Sequence, residues 1–264
     1  MTYFEINHVN NPMTIPKVAL VTGGSRGLGR DMALSLAAKG LDVILTYRSQ
    51  QAEAEAVVTE IEATGHRAAA LPLDMNVPGS YDGFVKAVSE TLQRWGAPGV
   101  DYLVNNAGMG ATVPFADVTE AQFDEFLNVH YKGIYFLTQK LLPHLNNGGG
   151  IVNISSGTTR FANPGYSVYA SMKGAIEVLT KYWAKELGAK GIRCNVVAPG
   201  PIETDFNNGV IRGNPQMKGF LASLTPLGRV GNANDIGGVV AFLCTDEAGW
   251  INGQRIEVSG GINV

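Results

Sequence analysis

Residues 17–29, KVALVTGGSRGLG, decide the fold. The first six form an apolar run with one charged lead, the pattern of a strand buried on both faces. Glycines then stand at 23, 24, 27 and 29, and a helical pattern follows. Gly23 permits a tight turn, Gly27 lets backbone amides approach a phosphate, and Gly29 lets the helix lie close to a sheet. Ser25, Arg26 and Leu28 complete the loop. A pyrophosphate at the start of that helix would meet unpaired N–H groups and the positive end of the helix dipole. The spacing is G-x-x-x-G-x-G rather than G-x-G-x-x-G, so the strand–loop–helix context carries the reading.

Outward from this loop, short apolar runs alternate with longer helical segments. Strands are predicted at 17–22, 42–47, 68–73, 100–105, 150–155, 192–197 and 254–258. Helices are predicted at 27–39, 50–64, 80–95, 120–144 (as one long helix), 167–187 and 234–244. Residues 199–227 carry several prolines and glycines and read as irregular. Apolar strands each followed by a helix imply an α/β, doubly wound Rossmann fold: a seven-stranded parallel sheet with helices on both faces. One domain is expected over residues 17–264, behind an N-terminal extension of residues 1–16.

Composition narrows the function classes. A hydrophobic fraction of 45% against 16% charged residues supplies a sizeable core and excludes a disordered chain. The net charge of −3 gives no reason to expect nucleic acid or a membrane surface as partner. Cys194 and Cys244 stand far apart, which fits neither a disulfide framework nor a zinc site and suits a reducing cytoplasm. The histidines are scattered, so no metal is expected. No apolar run approaches the roughly 20 residues of a membrane span. The opening MTYFEINHVNNPMTIP does not resemble a signal peptide, and a cytoplasmic location is expected.

The second strand selects the dinucleotide. An NAD site places an acid at the carboxyl end of this strand to hold the ribose 2′-hydroxyl. Here the nearby acid, Asp42, opens the strand, and Tyr47, Arg48 and Ser49 stand at the ligand edge. With Arg26 from the glycine loop, two guanidiniums and a hydroxyl suit a 2′-phosphate, so NADP(H) is expected over NAD.

Tyr169 and Lys173 are four residues apart in a predicted helix and share a face. A free phenol, with a pKa of about 10, is a poor proton-transfer group near neutrality, and a neighbouring ammonium would lower it. Ser156 closes the fifth strand at the edge where such folds bind ligands, and its hydroxyl could hold a substrate oxygen while Tyr169 passes a proton. A turn-capping role is its structural alternative. Ser155 reads as a bystander.

These residues resemble the short-chain dehydrogenase/reductases closely, from about residue 17 to 261. The resemblance rests on TGGSRGLG (22–29), Asp74, NNAG (105–108), Asn128, ISS ending at Ser156, YASMK (169–173) and PGPIET (199–204). It implies reversible reduction of a carbonyl to an alcohol, with Tyr169 as acid or base. Lys173 would tune Tyr169 and hold the nicotinamide ribose, Ser156 would orient the carbonyl, and Asn128 would position a relay water. Asp74, with Met75 beside it, would bond the adenine. Asn105, Ala107 and Gly108 would line the cofactor cleft. Pro199 and Gly200 would lead to Ile202 and Thr204, which would hold the carboxamide.

The resemblance also places a substrate lid near residues 203–224, with Phe206, Ile211, Met217, Phe220 and Leu221, and implies a homotetramer or homodimer. Ile134, Phe136 and Leu137 fit either such an interface or an ordinary core. Two other readings stay open. One is a 3-oxoacyl-thioester (acyl-carrier-protein) reductase; the other is a noncatalytic NADP(H)-sensing protein, against which the joint presence of Ser156, Tyr169 and Lys173 argues.

Overall fold

A computed structural model of the chain describes residues 16–264. All but the last residue of the expected N-terminal extension lies outside the described residues. The seven strands are β1 (Val18–Val21), β2 (Asp42–Tyr47), β3 (Ala68–Pro72), β4 (Val100–Asn105), β5 (Leu145–Ile154), β6 (Arg193–Pro199) and β7 (Arg255–Val258). They pair in parallel in the order β3-β2-β1-β4-β5-β6-β7. The order reverses between β1 and β4, the point at which open α/β sheets offer a crevice at their carboxyl edge.

The helices are α1 (Gly27–Ala38), α2 (Gln51–Glu62), α3 (Tyr81–Trp95), α4 (Glu120–Leu127), α5 (Gly133–Leu141), α6 (Ser167–Glu186), α7 (Phe206–Gly209), α8 (Pro215–Ser223) and α9 (Asn234–Leu243). Alternate residues of β1 face opposite layers. Ala19 and Val21 join Met32, Leu36, Ile236 and Val240 on one side of the sheet. Val18 and Leu20 join Tyr81, Leu103, Ile134 and Leu137 on the other. Full burial of side chains such as Leu20 or Ile44 stabilises the fold by about 1.5–3 kcal/mol each. Helix α3 shows why these segments coil: Tyr81, Phe84, Val88, Thr91 and Leu92 are buried at helical spacing, and Gly96 ends the helix at φ +64°.

Three expectations change. The helix expected over 120–144 is interrupted by a π-helical segment, Asn128–Lys132, between α4 and α5. Strand β5 begins at Leu145, because Leu145 pairs with Val100 across a register shift ahead of the Gly-rich turn. The irregular stretch contains α7 and α8, the latter started by Pro215 and by Asn214, whose side chain accepts the Met217 N–H at 3.0 Å. Ile134 and Leu137 belong to the chain's own core, while Phe136 is 41% exposed.

Candidate active site

A cleft of about 680 Å³ runs along the carboxyl edge of the sheet, walled by the segments that follow β1 to β6. Its nucleotide end is set by backbone. Gly23 and Gly27 adopt φ of +68° and +55°, and a Cβ on Gly29 would overlap the Gly23 carbonyl. The Thr46 hydroxyl accepts the Gly23 N–H at 2.9 Å, and the Gly24 N–H donates to the Thr46 carbonyl at 2.8 Å. The first turn of α1 has neither a side-chain cap nor an acid, so its N–H groups remain available to an anion. Arg26, Tyr47, Arg48 and Ser49 line the same end of the cleft. Among the described residues, neither Arg26 nor Arg48 is paired with a carboxylate. Asp42, by contrast, is buried and bonded to Arg67, away from this edge. A 2′-phosphate fits this donor set.

Ser25, Leu28, Asp74, Met75, Ala107, Gly108, Pro199, Gly200, Ile202 and Thr204 also line the cleft, as expected from the motifs. Asp74 additionally caps its own turn, its carboxylate accepting the Asn76 N–H at 2.8 Å. Asn105 requires correction. Its side chain is buried under the sheet edge, donating to Asn153 at 2.8 Å and to Thr138 at 3.2 Å. The next residue, Asn106, reaches the cleft instead and ties the glycine loop down, donating to the carbonyls of Thr22 at 2.9 Å and Gly23 at 3.1 Å.

At the other end, Tyr169 and Lys173 lie one turn apart on α6, 9% and 3% exposed. The ammonium sits 5.6 Å from the centre of the Tyr169 ring and donates to the Ile154 carbonyl at 2.7 Å. Burial drives both groups toward their neutral forms. It raises the phenol to about 12, opposed by a hydrogen bond with the Ser156 hydroxyl, and lowers the ammonium to about 8. In the free protein the Ser156 hydroxyl, rather than the Lys173 ammonium, is the group that draws the phenol back toward neutrality. The phenol is held protonated, which suits a proton donor.

Ser156 follows β5 in extended backbone, facing the phenol. Its hydroxyl oxygen also accepts the Thr158 N–H at 3.2 Å, so it caps its turn as well. Ser155 is more than a bystander, because it donates to Glu177 on α6 at 2.6 Å. Thr159 at 2.7 Å and Arg255 at 2.8 Å share that carboxylate, fastening the Ser156 turn to the helix that carries Tyr169 and Lys173.

Asn128 is also corrected. Its side chain donates to Asn76 at 3.2 Å, its carbonyl accepts the Gly133 N–H of the π turn, and it does not line the cleft. His130, two residues on, does line it, its ring standing edge-on to Tyr169 with centroids 5.3 Å apart. Nothing in residue spacing alone marked His130.

Residues 23–263 match a family model described as enoyl-(acyl carrier protein) reductase, a branch of the short-chain dehydrogenase/reductases. The chain is a short-chain dehydrogenase/reductase. It is similar to a hydroxynaphthalene reductase-like protein of Metarhizium anisopliae, 38% identical over 257 residues that span 93% of this chain and 94% of the relative. It is also similar to a 3-oxoacyl-[acyl-carrier-protein] reductase of Staphylococcus epidermidis, 37% identical over 248 residues, 93% of this chain and 98% of the relative. Among solved structures, an angucycline C-6 ketoreductase with bound NADP superposes with a TM-score of 0.89 at 36% identity, covering 94% of this chain and 96% of that one. Among the described residues no helix is long and apolar enough to cross a membrane, and no cluster of three or more His, Cys, Asp or Glu could hold a metal.

Proposed function

We propose that this reductase uses NADPH to reduce a ketone carried on an apolar, ring-bearing substrate. NADPH bound along the cleft supplies the hydride. The α1 N-terminus would hold its pyrophosphate, Arg26, Arg48 and Ser49 its 2′-phosphate, and Tyr169 and Lys173 its nicotinamide ribose. Ser156 donates a hydrogen bond to the carbonyl oxygen, and Tyr169 gives that oxygen its proton as it becomes an alkoxide. The observation that carries this reading is the buried Tyr169 phenol, facing Ser156 and one helical turn from Lys173, at the carboxyl edge of the sheet. The NADP bound to the angucycline ketoreductase supports the choice of cofactor.

The substrate end is lined by Phe161, Tyr166, Phe206, Met217, Phe220 and Leu221. Phe206 rests against Tyr169 with ring centres 5.9 Å apart, and Asn207 ties the lid down by donating to Tyr166 at 3.0 Å and Thr112 at 3.1 Å. Aromatic walls next to the proton donor favour a flat, apolar ketone.

The relative from S. epidermidis supports a second reading, reduction of 3-oxoacyl thioesters on a carrier protein. The cations near the mouth argue against it. Arg160 pairs with Glu257, Arg212 with Asp205 and Lys218 with Glu203, which leaves these three neutralised toward an acidic carrier.

Self-association is also proposed. Phe136 on α5 and Val178 and Tyr182 on α6 are exposed, on two helices that touch through Tyr135 and Trp183. Light scattering tests this, and a monomer of 28 kDa refutes it.

The test of the enzyme assignment is Tyr169→Phe, followed by NADPH oxidation over ketones, aldehydes and acetoacetyl thioesters. NADPH fluorescence on binding should persist while turnover falls by about 10³-fold. Normal turnover in that variant refutes the reading. Thioester activity far above ketone activity replaces the first substrate class with the second.

A further inference from the structure

Ser156 is held by a neighbour that none of the sequence motifs includes. It caps the short turn at Gly157–Thr159, its hydroxyl oxygen accepting the Thr158 N–H at 3.2 Å. The Thr158 hydroxyl stands against the same oxygen, 3.0 Å away. One residue thus presents two donors to the atom that meets the substrate carbonyl. Thr158 is half-buried and lines the cleft together with Ser156 and Tyr169.

The turn gives its two threonines different tasks. Thr159 Oγ1 lies 2.7 Å from the Glu177 carboxylate and 2.9 Å from the Ser156 carbonyl oxygen, so it fastens the turn to α6. Thr158 addresses the Ser156 hydroxyl instead. A Cβ on Gly157 would lie 2.9 Å from the Phe161 ring, so the chain between Ser156 and Thr158 has little room to shift.

Counting protons gives the direction of the bond. A serine hydroxyl has one proton and two lone pairs, and the Thr158 N–H fills one lone pair. Among the described residues Thr158 Oγ1 has no other hydrogen-bond partner, whereas the Ser156 hydroxyl also faces the Tyr169 phenol. Donation from Thr158 to Ser156 gives both hydroxyl protons an acceptor. The reverse would leave the threonine proton without one. Ser156 Oγ is then saturated as an acceptor, and only donation is left to it.

We propose that Thr158 is a positioning residue for this reduction, filling the second lone pair of Ser156 and so directing the Ser156 proton into the cleft, toward the substrate carbonyl oxygen. A hydroxyl whose oxygen accepts hydrogen bonds is a better donor, so its hold on the carbonyl oxygen strengthens as negative charge builds there. The Tyr169 proton finds no acceptor in Ser156 and is kept for the same oxygen. This inference rests on Ser156 holding the carbonyl, as in the reaction above.

The experiment compares Thr158→Val and Thr158→Ser in the parent, and Thr158→Val in a Ser156→Ala background, by thermal melting, NADPH fluorescence and separate kcat and KM over ketones. Valine keeps the branched shape and the backbone N–H and removes only the hydroxyl. Serine returns the hydroxyl without the methyl. In Thr158→Val, kcat should fall about tenfold, equivalent to about 1.4 kcal/mol in the barrier, with KM and NADPH affinity within about twofold of the parent. Thr158→Ser should recover most of that loss. Ser156→Ala alone should lose about 10²–10³-fold in kcat. Adding Thr158→Val to it should change kcat by less than about twofold, because the threonine acts through Ser156. Unchanged kcat in Thr158→Val overturns the proposal, as does an equal fall in Thr158→Ser. The same loss from valine in both backgrounds also overturns it, by placing Thr158 on the substrate itself. If Ser156→Ala turns over too slowly to compare, valine against serine decides. A fully active Ser156→Ala would instead remove the reading on which the proposal stands.

Discussion

In the amino-terminal half of the cleft the decisive contacts are made by backbone, whereas in the carboxyl-terminal half they are made by side chains. Around β1 and β4, Gly23 and Gly27 sit at positive φ, and the Thr22 hydroxyl accepts the N–H groups of Asn106 and Ala107, each at 3.0 Å. Around β5 to β7, Glu177 gathers Ser155, Thr159 and Arg255, while Arg160 holds the carbonyls of Ile262 and Asn263 at 2.5 and 2.6 Å. A backbone cradle is indifferent to most substitutions but is broken outright by a Cβ in the wrong place. A side-chain frame fails by degrees, and it can be respecified one residue at a time. The first arrangement suits a cofactor that is always the same; the second suits a substrate pocket that differs between relatives.

Gly29→Ala is the sharpest way to break the first half. The added methyl would overlap the Gly23 carbonyl and crowd Asn106, so the loop and the start of α1 must separate. Overpacking of this kind costs about 1–3 kcal/mol. NADPH fluorescence enhancement should vanish and the melting temperature should drop by several degrees. Retained NADPH affinity would show that the cradle is more yielding than its backbone contacts imply.

Next in size is the double variant Arg26→Ala, Arg48→Ala. Charge-assisted hydrogen bonds contribute about 1.5–3 kcal/mol each, so loss of both should weaken NADPH binding by about 100-fold or more. NADH, which lacks the phosphate, should bind almost as before. Equal losses for both cofactors would remove these arginines from the 2′-phosphate site.

The two halves also differed in how far they could be read from the sequence. Glycine spacing after an apolar strand has few structural solutions, so the phosphate loop, the seven-stranded parallel sheet and the Arg26–Arg48 edge were legible. Asn105 and Asn106 were harder to separate, because successive residues leaving a strand face opposite ways and a one-residue offset exchanges cleft for core. The π segment was not legible at all. It preserves the apolar periodicity of α4 and α5 yet inserts a wider turn, which leaves Asn128 on Asn76 and brings His130 to Tyr169. The Glu177 network was equally hidden, since its members come from β5, α6 and β7 and no local motif joins them.

Glu177→Gln probes that hidden frame. The amide keeps the shape and an oxygen for Ser155 and Thr159, but loses the charge that holds Arg255 on that same oxygen. The Ser156 turn loosens relative to α6 while the nucleotide end is untouched. Expected is a fall in kcat of about tenfold, or about 1.4 kcal/mol, with unchanged NADPH affinity. An equal loss of NADPH affinity would mean that the two halves are not separable.

The smallest effect is a pH dependence, and its sign follows from the buried pair. Lys173 acts as an ammonium, and burial lowers its pKa to about 8. Tyr169, raised to about 12, stays protonated through the accessible range and contributes no limb. For reduction, kcat/KM should therefore be level below pH 8, be halved near pH 8, and decline further as the ammonium loses its proton. In Lys173→Arg the guanidinium remains charged, so whatever activity survives should show no such decline up to pH 10. A profile that falls at the same pH in both proteins would assign the limb to another group and detach Lys173 from the proton-transferring end of the cleft.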